Sequence, residues 1–390
     1  MIVKITNDAK AYDWGSKDLI PDVLGFAATG QPMAEVWFGT HPLSPASVAD
    51  SEQAVTLSDA IGHNLDFMLK FLAADHPLSI QVHPNELQAY AGYLAEDAAG
   101  VDIDAPTRNF KDRSAKREAI VAITDFDLLA GLRPLEKIQG SMFELAELVS
   151  EGPSSVLHRY AALAEATDGH RALLGDMLAG DKPSAVVQQL LDELCSVVQQ
   201  RPASELIDYP LIALMVQKFG SDRGLLLALT MRRFQLKSGT AVFVETGVPH
   251  CYLSGLGVEI LSSSDNVLRG GLTHKHVSAA DFMAMLDISA SVKAAPQQAS
   301  QLGAGLWRYN FGPIDFALHR VSVSGANLLI DFSLPGESSL VCTAGELAVS
   351  NSQEERVVLR RGEAAYLSDD ARFYSISGSG DGYIGSAVKQ

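Results

Sequence analysis

The stretch Leu236–Lys275, LKSGTAVFVETGVPHCYLSGLGVEILSSSDNVLRGGLTHK, restricts the fold more than any other part of the chain. Thr240 to Val244 alternates like a strand and ends in a turn punctuated by glycine and proline, Thr246-Gly247-Val248-Pro249. His250 follows that turn at once. Leu256 to Leu261 reads as a further strand that carries Glu259 among apolar neighbours. The polar turn Ser262–Asn266 then leads to Arg269 beside Gly270-Gly271. One hairpin-rich segment thus supplies a metal-ligand type, a carboxylate in an apolar strand and a guanidinium.

Gly239, Gly247 eight residues on and His250 three further follow a spacing similar to the second motif of the cupin barrels, with Glu245 where that motif usually has proline. The logic is mechanical. A strand runs to the barrel mouth, glycine permits the tight turn, and the next strand begins with an inward-pointing ligand. By local pattern alone a plain β-hairpin with a core or surface histidine fits as well.

A second candidate lies upstream. Leu78-Ser-Ile-Gln-Val-His83 has period two, so Ser79, Gln81 and His83 share one face and Leu78, Ile80 and Val82 the other. Gln81 and His83, two residues apart, can reach a common point, although a solvent-facing edge strand would show the same alternation. Asn85 is placed to cap a helix from Glu86 to about Glu96. Lys111, Arg113, Lys116 and Arg117 then crowd in front of Glu118, which opens the strand-like run to Ile123. The formal net charge is −17, so cations gathered beside a carboxylate point to an anionic ligand. Gln81, His83, Glu118 and His250 form a mixed nitrogen and oxygen set that suits Zn²⁺, and Mn²⁺ or Fe²⁺ also accept such donors.

At 390 residues, 47% of them hydrophobic, the chain is long enough for two or three domains. Residues 1–130 and 234–290 read as one β-rich barrel. Residues 131–233 are a helical insertion, with helix-spaced apolar positions in Leu135–Val149, Ser155–Ala166, Gly169–Leu178, Ser184–Val198, Leu206–Phe219 and Gly224–Met231. Residues 291–390 return to short strands and echo the first barrel. Leu236-x-x-Gly239 matches Leu359-x-x-Gly362, and Ser254-Gly255 matches Ser377-Gly378 without a gap. In that register Phe373 stands where His250 does, so an aromatic is expected in the metal position of a structural second barrel. The fold class is therefore mainly β: two cupin-type jelly-roll β-barrels plus an α-helical domain.

Three scattered cysteines, Cys195, Cys251 and Cys342, argue for a reducing cytoplasm rather than a disulfide framework. The opening MIVKITNDAKAYDWGS lacks the build of a secretion signal. The acidic balance argues against nucleic acid or an anionic membrane as partner, and no apolar run approaches the ~20 residues of a membrane span.

Several motifs together resemble the type I mannose-6-phosphate isomerases. They are Tyr12-Asp-Trp-Gly15, Ala34-Glu-Val-Trp-Phe-Gly-Thr-His-Pro42, Leu78–Asn85, Asn109-Phe-Lys-Asp112 with Lys116-x-Glu118, Pro249–Gly255 and Ser264–Lys275. The resemblance implies a cytoplasmic, monomeric zinc enzyme, with one ion per chain, that interconverts mannose 6-phosphate and fructose 6-phosphate in mannose metabolism. It makes Gln81, His83, Glu118 and His250 the zinc ligands and Arg269 the active-site arginine, and places Glu259, Lys116, Lys275 and Ser79 in the pocket. The expected chemistry is proton transfer through an enediol(ate). Glu259 is the candidate base, with a water on the metal as rival. Phosphate falls to Ser79, Lys116 and Lys275, with Arg117 a further candidate. The chain departs from the family at Arg117 (usually proline), Ala115 (commonly histidine) and His274 (usually proline), and none of these removes a ligand. The alternatives are another metal-dependent cupin enzyme, such as a different sugar isomerase, and a non-catalytic sugar-phosphate sensor.

Overall fold

Period-two runs become strands and period-3.6 segments become helices in the computed structural model, which describes all residues except 52, 181, 325–329, 372 and 389–390. The strands form two antiparallel sheets, each ten-stranded among the described residues. The first runs in the order Leu268–Gly271, Ile80–Val82, His250–Ser262, Glu118–Ala122, Ala241–Val244 and Pro296–Gln297. His250–Ser262 is its hub. Its first half pairs with Ile80–Val82 and Phe126–Leu132, its second half with Phe67–Ala74 and Glu118–Ala122. Sequence alone suggests two strands here. The structure has one, which changes partners at Gly255, where φ is +114° and an added Cβ would sit 2.5 Å from the Asp125 carbonyl oxygen.

Among its described residues the insertion forms six helices: Leu135–Ala146, Glu151–Ala164, Gly169–Met177, Ala185–Val197, Tyr209–Phe219 and Gly224–Thr230. Their apolar faces merge with Ile80, Val82, Leu129 and Leu268 of the barrel in one buried cluster. This packing decides where the polar face of the short strand goes. Ile80 and Val82 are fully buried toward the helices, so alternation turns Gln81 the other way, into the barrel's cavity. The following helix, Glu86–Ala98, starts with the expected cap. Asn85 accepts from the Gln88 N–H at 3.0 Å, and the Gln88 side chain accepts from the Asn85 N–H at 2.9 Å.

The second sheet contains the C-terminal strands and also Ile2–Thr6, which pairs with Ala364–Leu367. The N-terminal strand therefore lies in the sheet of the last hundred residues, outside the barrel that residues 1–130 suggest. A local pattern shows that a strand forms but not which distant edge completes it. Here Ile5 packs with Val341, Tyr366 and Tyr383, and the Met1 ammonium lies 3.1 Å from Asp370.

The internal echo holds at the backbone. Met231–Leu236, Ala241–Val244 and His250–Ser262 correspond in order to Arg356–Arg360, Ala364–Leu367 and Phe373–Ala387. The turn glycines agree, with φ of +84° at Gly239 and +86° at Gly362, and +114° at Gly255 and +121° at Gly378. The side chain does not follow. Phe373 opens its strand as His250 does, yet it is 65% exposed and fills no interior position.

Ile5→Ala should cost about 2–5 kcal/mol, the range for removing a buried isoleucine side chain beyond Cβ. Denaturant unfolding should show the lowered midpoint. Metal content should be unchanged, because Ile5 lies on a strand of the second sheet and lines no part of the metal centre.

Candidate metal centre

Three of the four expected ligands converge. His83 follows the Ile80–Val82 strand, Glu118 opens Glu118–Ala122, and His250 opens the hub strand. The turn before His250 depends on Gly247, whose φ is +77° and whose missing Cβ would lie 2.7 Å from Asp287. The Gly247 N–H donates to the His83 carbonyl at 2.9 Å, and His250 is the cross-strand partner of Gln81. Two ligand segments are thus stitched together by backbone before any side chain is considered.

The side chains complete the geometry. His83 Nδ1 lies 2.7 Å from the Asn266 carbonyl oxygen, and His250 Nδ1 lies 3.1 Å from that of Val248. A carbonyl only accepts, so each Nδ1 carries the proton and each Nε2 presents a lone pair. Both Nε2 atoms are buried without a hydrogen-bond partner. They nonetheless lie 3.2 and 2.9 Å from the two oxygens of Glu118, and the three ligand atoms fall within 4.8 Å of one another. Lone pairs buried against a carboxylate repel it unless a cation lies between them, and donors about 2.1 Å from a common ion are spaced in this way. The residues present fit a divalent metal. Gln81 stands beside them, paired through its backbone to both His250 and Arg269, and lines the adjoining cavity.

Charge at the centre follows from burial and from Lys116, whose Nζ is 3.3 Å from Glu118 Oε2. Burial first, and Lys116 second, push His83 down to about 3. Burial alone would raise Glu118. Lys116 and the two imidazoles outweigh it and hold the carboxyl well below its ordinary value. His83 is therefore held as a neutral imidazole and Glu118 as a carboxylate, the forms that bind metal.

A cavity of about 560 Å³ lies in front of Glu118, and Ser79, Gln81, Lys116, Glu259, Arg269 and Lys275 all line it. Arg269 is half-buried, and no described side chain pairs with it. Burial lowers its pKa, partly offset by Asp265. Lys275 stands at the rim, lowered by partial burial and by Arg269. The basic run preceding Glu118 does not form one patch. Arg117 pairs with Glu245 at 3.2 Å, Arg113 stacks over Tyr90 and Tyr93, and Lys111 donates to the Ile103 carbonyl. Of those four cations only Lys116 lines the cavity.

Glu259 is buried as expected, but its surroundings are not only apolar. Its Oε2 lies 2.5 Å from Lys70 Nζ, and Lys70 also meets Glu35 at 3.2 Å. Tyr252 Oη lies 2.9 Å from Glu259 and 3.1 Å from Glu118, so one hydroxyl links the base candidate to the metal carboxylate. Sequence reading misses Lys70, Glu35 and Tyr252. The available signal is one lysine at the centre of the eight-residue, wholly buried strand Phe67–Ala74.

Residues 2–135 match the catalytic domain of type I phosphomannose isomerase. Mannose-6-phosphate isomerase of Salmonella typhimurium is 32% identical over 97% of this chain and 97% of its own length. This chain belongs to the type I phosphomannose isomerase family. The Escherichia coli relative of the same name is 29% identical over 97% of both chains. The crystal structure of the Salmonella typhimurium enzyme bound to its substrate, fructose 6-phosphate, and to zinc superposes with a TM-score of 0.87 at 27% identity, covering all of both chains.

Asn266 anchors His83 through its carbonyl, and its side chain ties that carbonyl to Lys111, Asp112 and Ser114. Asn266→Ala should loosen the anchor and weaken divalent-metal binding about 10–100-fold, the usual effect of losing a ligand's outer partner. Competition with a chromogenic chelator measures it.

Proposed function

We propose that this chain is a zinc-dependent isomerase that interconverts mannose 6-phosphate and fructose 6-phosphate through an enediol(ate). The observation that carries the proposal is the pair of partnerless, buried Nε2 atoms facing Glu118 at a cavity that also holds an unpaired guanidinium. Gln81, His83, Glu118 and His250 would hold one Zn²⁺. The ion supplies a Lewis acid for the sugar carbonyl.

The chain's own groups do the rest. Glu259 takes the proton from C2 of the open-chain aldose. The C–H electrons become the C1–C2 double bond, and charge moves onto O1. The proton returns to C1, while the O2 hydroxyl proton passes to O1 and leaves a ketone at C2. Lys70 suits this cycle: when Glu259 is protonated, its ammonium keeps Glu35 as a partner and no buried charge is stranded. Arg269 faces the developing oxyanion with no competing carboxylate bound to it. Lys116, expected at the phosphate, stands 3.3 Å from Glu118 and is assigned to the sugar's oxygen end. Ser79 and Lys275 then receive the phosphate.

The same reading assigns the site to the barrel of residues 1–130 and 234–290 apart from Ile2–Thr6, its wall to the insertion 131–233, and structural support to 291–390 together with that strand. Among the described residues no helix is long and apolar enough to cross a membrane, and the three cysteines are free thiols, consistent with a cytoplasmic enzyme. A monomer serving mannose metabolism, including supply of GDP-mannose, completes the reading.

Coupled assay of mannose 6-phosphate isomerisation, with metal content measured on the same sample, tests it. Chelation should abolish turnover and Zn²⁺ should restore it; bound metal without isomerase activity sinks the proposal. Glu259→Gln should lower kcat about 10²–10⁴-fold, and near-normal turnover with metal retained rules Glu259 out as base. Arg269→Ala should lower kcat about 10²–10³-fold at unchanged metal content. Equal losses of activity and metal would make Arg269 structural.

A further inference from the structure

The outer wall of the cavity is not built by the barrel alone. The Tyr209–Phe219 helix of the insertion ends at the rim, and its last two residues, Lys218 and Phe219, line the cavity together with His274 and Lys275. The Phe219 ring lies 6.2 Å from the His274 ring, which sets the helix end against the segment that carries Lys275. Lys218 Nζ reaches Asp13 Oδ2 at 3.5 Å across the same cavity. Asp13 is 82% exposed and Lys218 31%.

These observations describe a cation that is held weakly and aimed well. An exposed ion pair at that distance contributes little, because water competes for both partners. A sugar phosphate brings about −1.5 to −2 charge and three acceptor oxygens, so it outcompetes a solvated carboxylate for a nearby ammonium. Lys218 has a flexible stem and needs no backbone movement to exchange partners.

We propose that Lys218 is a specificity-determining residue that leaves Asp13 to bind the substrate's phosphate, so that the helical insertion selects phosphorylated sugars. The inference rests on the sugar-phosphate reading of the cavity and extends it to a part of the chain outside the barrel. It gives Asp13 a role of opposite sign, as the group that competes with the phosphate.

The test uses the full-length, metal-loaded protein and the variants Lys218→Met, Lys218→Arg and Asp13→Asn. Fructose 6-phosphate and inorganic phosphate binding are followed by calorimetry, alongside steady-state kinetics. Lys218→Met should weaken binding of both ligands and raise KM about tenfold with kcat within about twofold, the scale of one charge-assisted contact. Lys218→Arg should restore binding. Asp13→Asn should shift KM and the dissociation constants the other way. Unchanged binding in Lys218→Met overturns the proposal, as does weaker binding in both Lys218→Met and Asp13→Asn, the result expected of a merely structural clasp. Calorimetry reads these outcomes even if the protein turns over no sugar phosphate, so failure here and failure of the isomerase reading are separable.

Discussion

His83 and His250 each give their Nδ1 proton to a main-chain carbonyl, which leaves two lone pairs pointed at one buried carboxylate. That arrangement is repulsive without a cation, and the surrounding fold has to hold it against the repulsion. The turn at Gly247, the bond from its N–H to the His83 carbonyl and the pairing of His250 with Gln81 all resist relaxation there. Behind them the insertion clamps Ile80 and Val82. The helices are therefore part of the metal centre in a physical sense: they fix the face that Gln81 presents.

A second string of buried charge runs beside the centre through Glu35, Lys70 and Glu259, and Tyr252 joins it to Glu118. Removing one member of a buried ion pair commonly costs about 3–5 kcal/mol, because the other is left uncompensated. Two carboxylates around one lysine lessen that hazard. Either can change its charge while the ammonium keeps a partner, as proton transfer at this site requires.

Much of this was legible in the sequence, though unevenly. Period-two and period-3.6 patterns located the strands and all six helices of the insertion, because burial on one face is a local demand. His83, Glu118 and His250 were legible as a converging donor set because metal chemistry limits which residue types can serve. Long-range choices were not. Nothing in IVKIT says that its partner is Ala364–Leu367, and nothing in the basic run says that Arg117 turns to Glu245 while Lys116 turns inward. Glu259 looked isolated among apolar residues because Lys70, its partner, lies 189 positions earlier on a neighbouring strand.

The two barrels separate backbone requirements from chemical ones. Gly239 and Gly255 recur as Gly362 and Gly378 with nearly the same φ, so both sheets need the same bends. Only the first has ligands at the strand start; its counterpart carries an exposed phenylalanine. A barrel that buries histidines, carboxylates and lysines against one another gains little stability from its own site. The apolar cluster that joins Phe67, Phe71, Val258 and Ile260 of the first sheet to Phe316, Val341, Tyr366 and Tyr383 of the second supplies burial from outside. The second barrel is thus an extension of the first one's core, and the lack of a metal-ligand cluster among its described residues suits that role: a metal position there would add buried charge to the element whose task is to offset it.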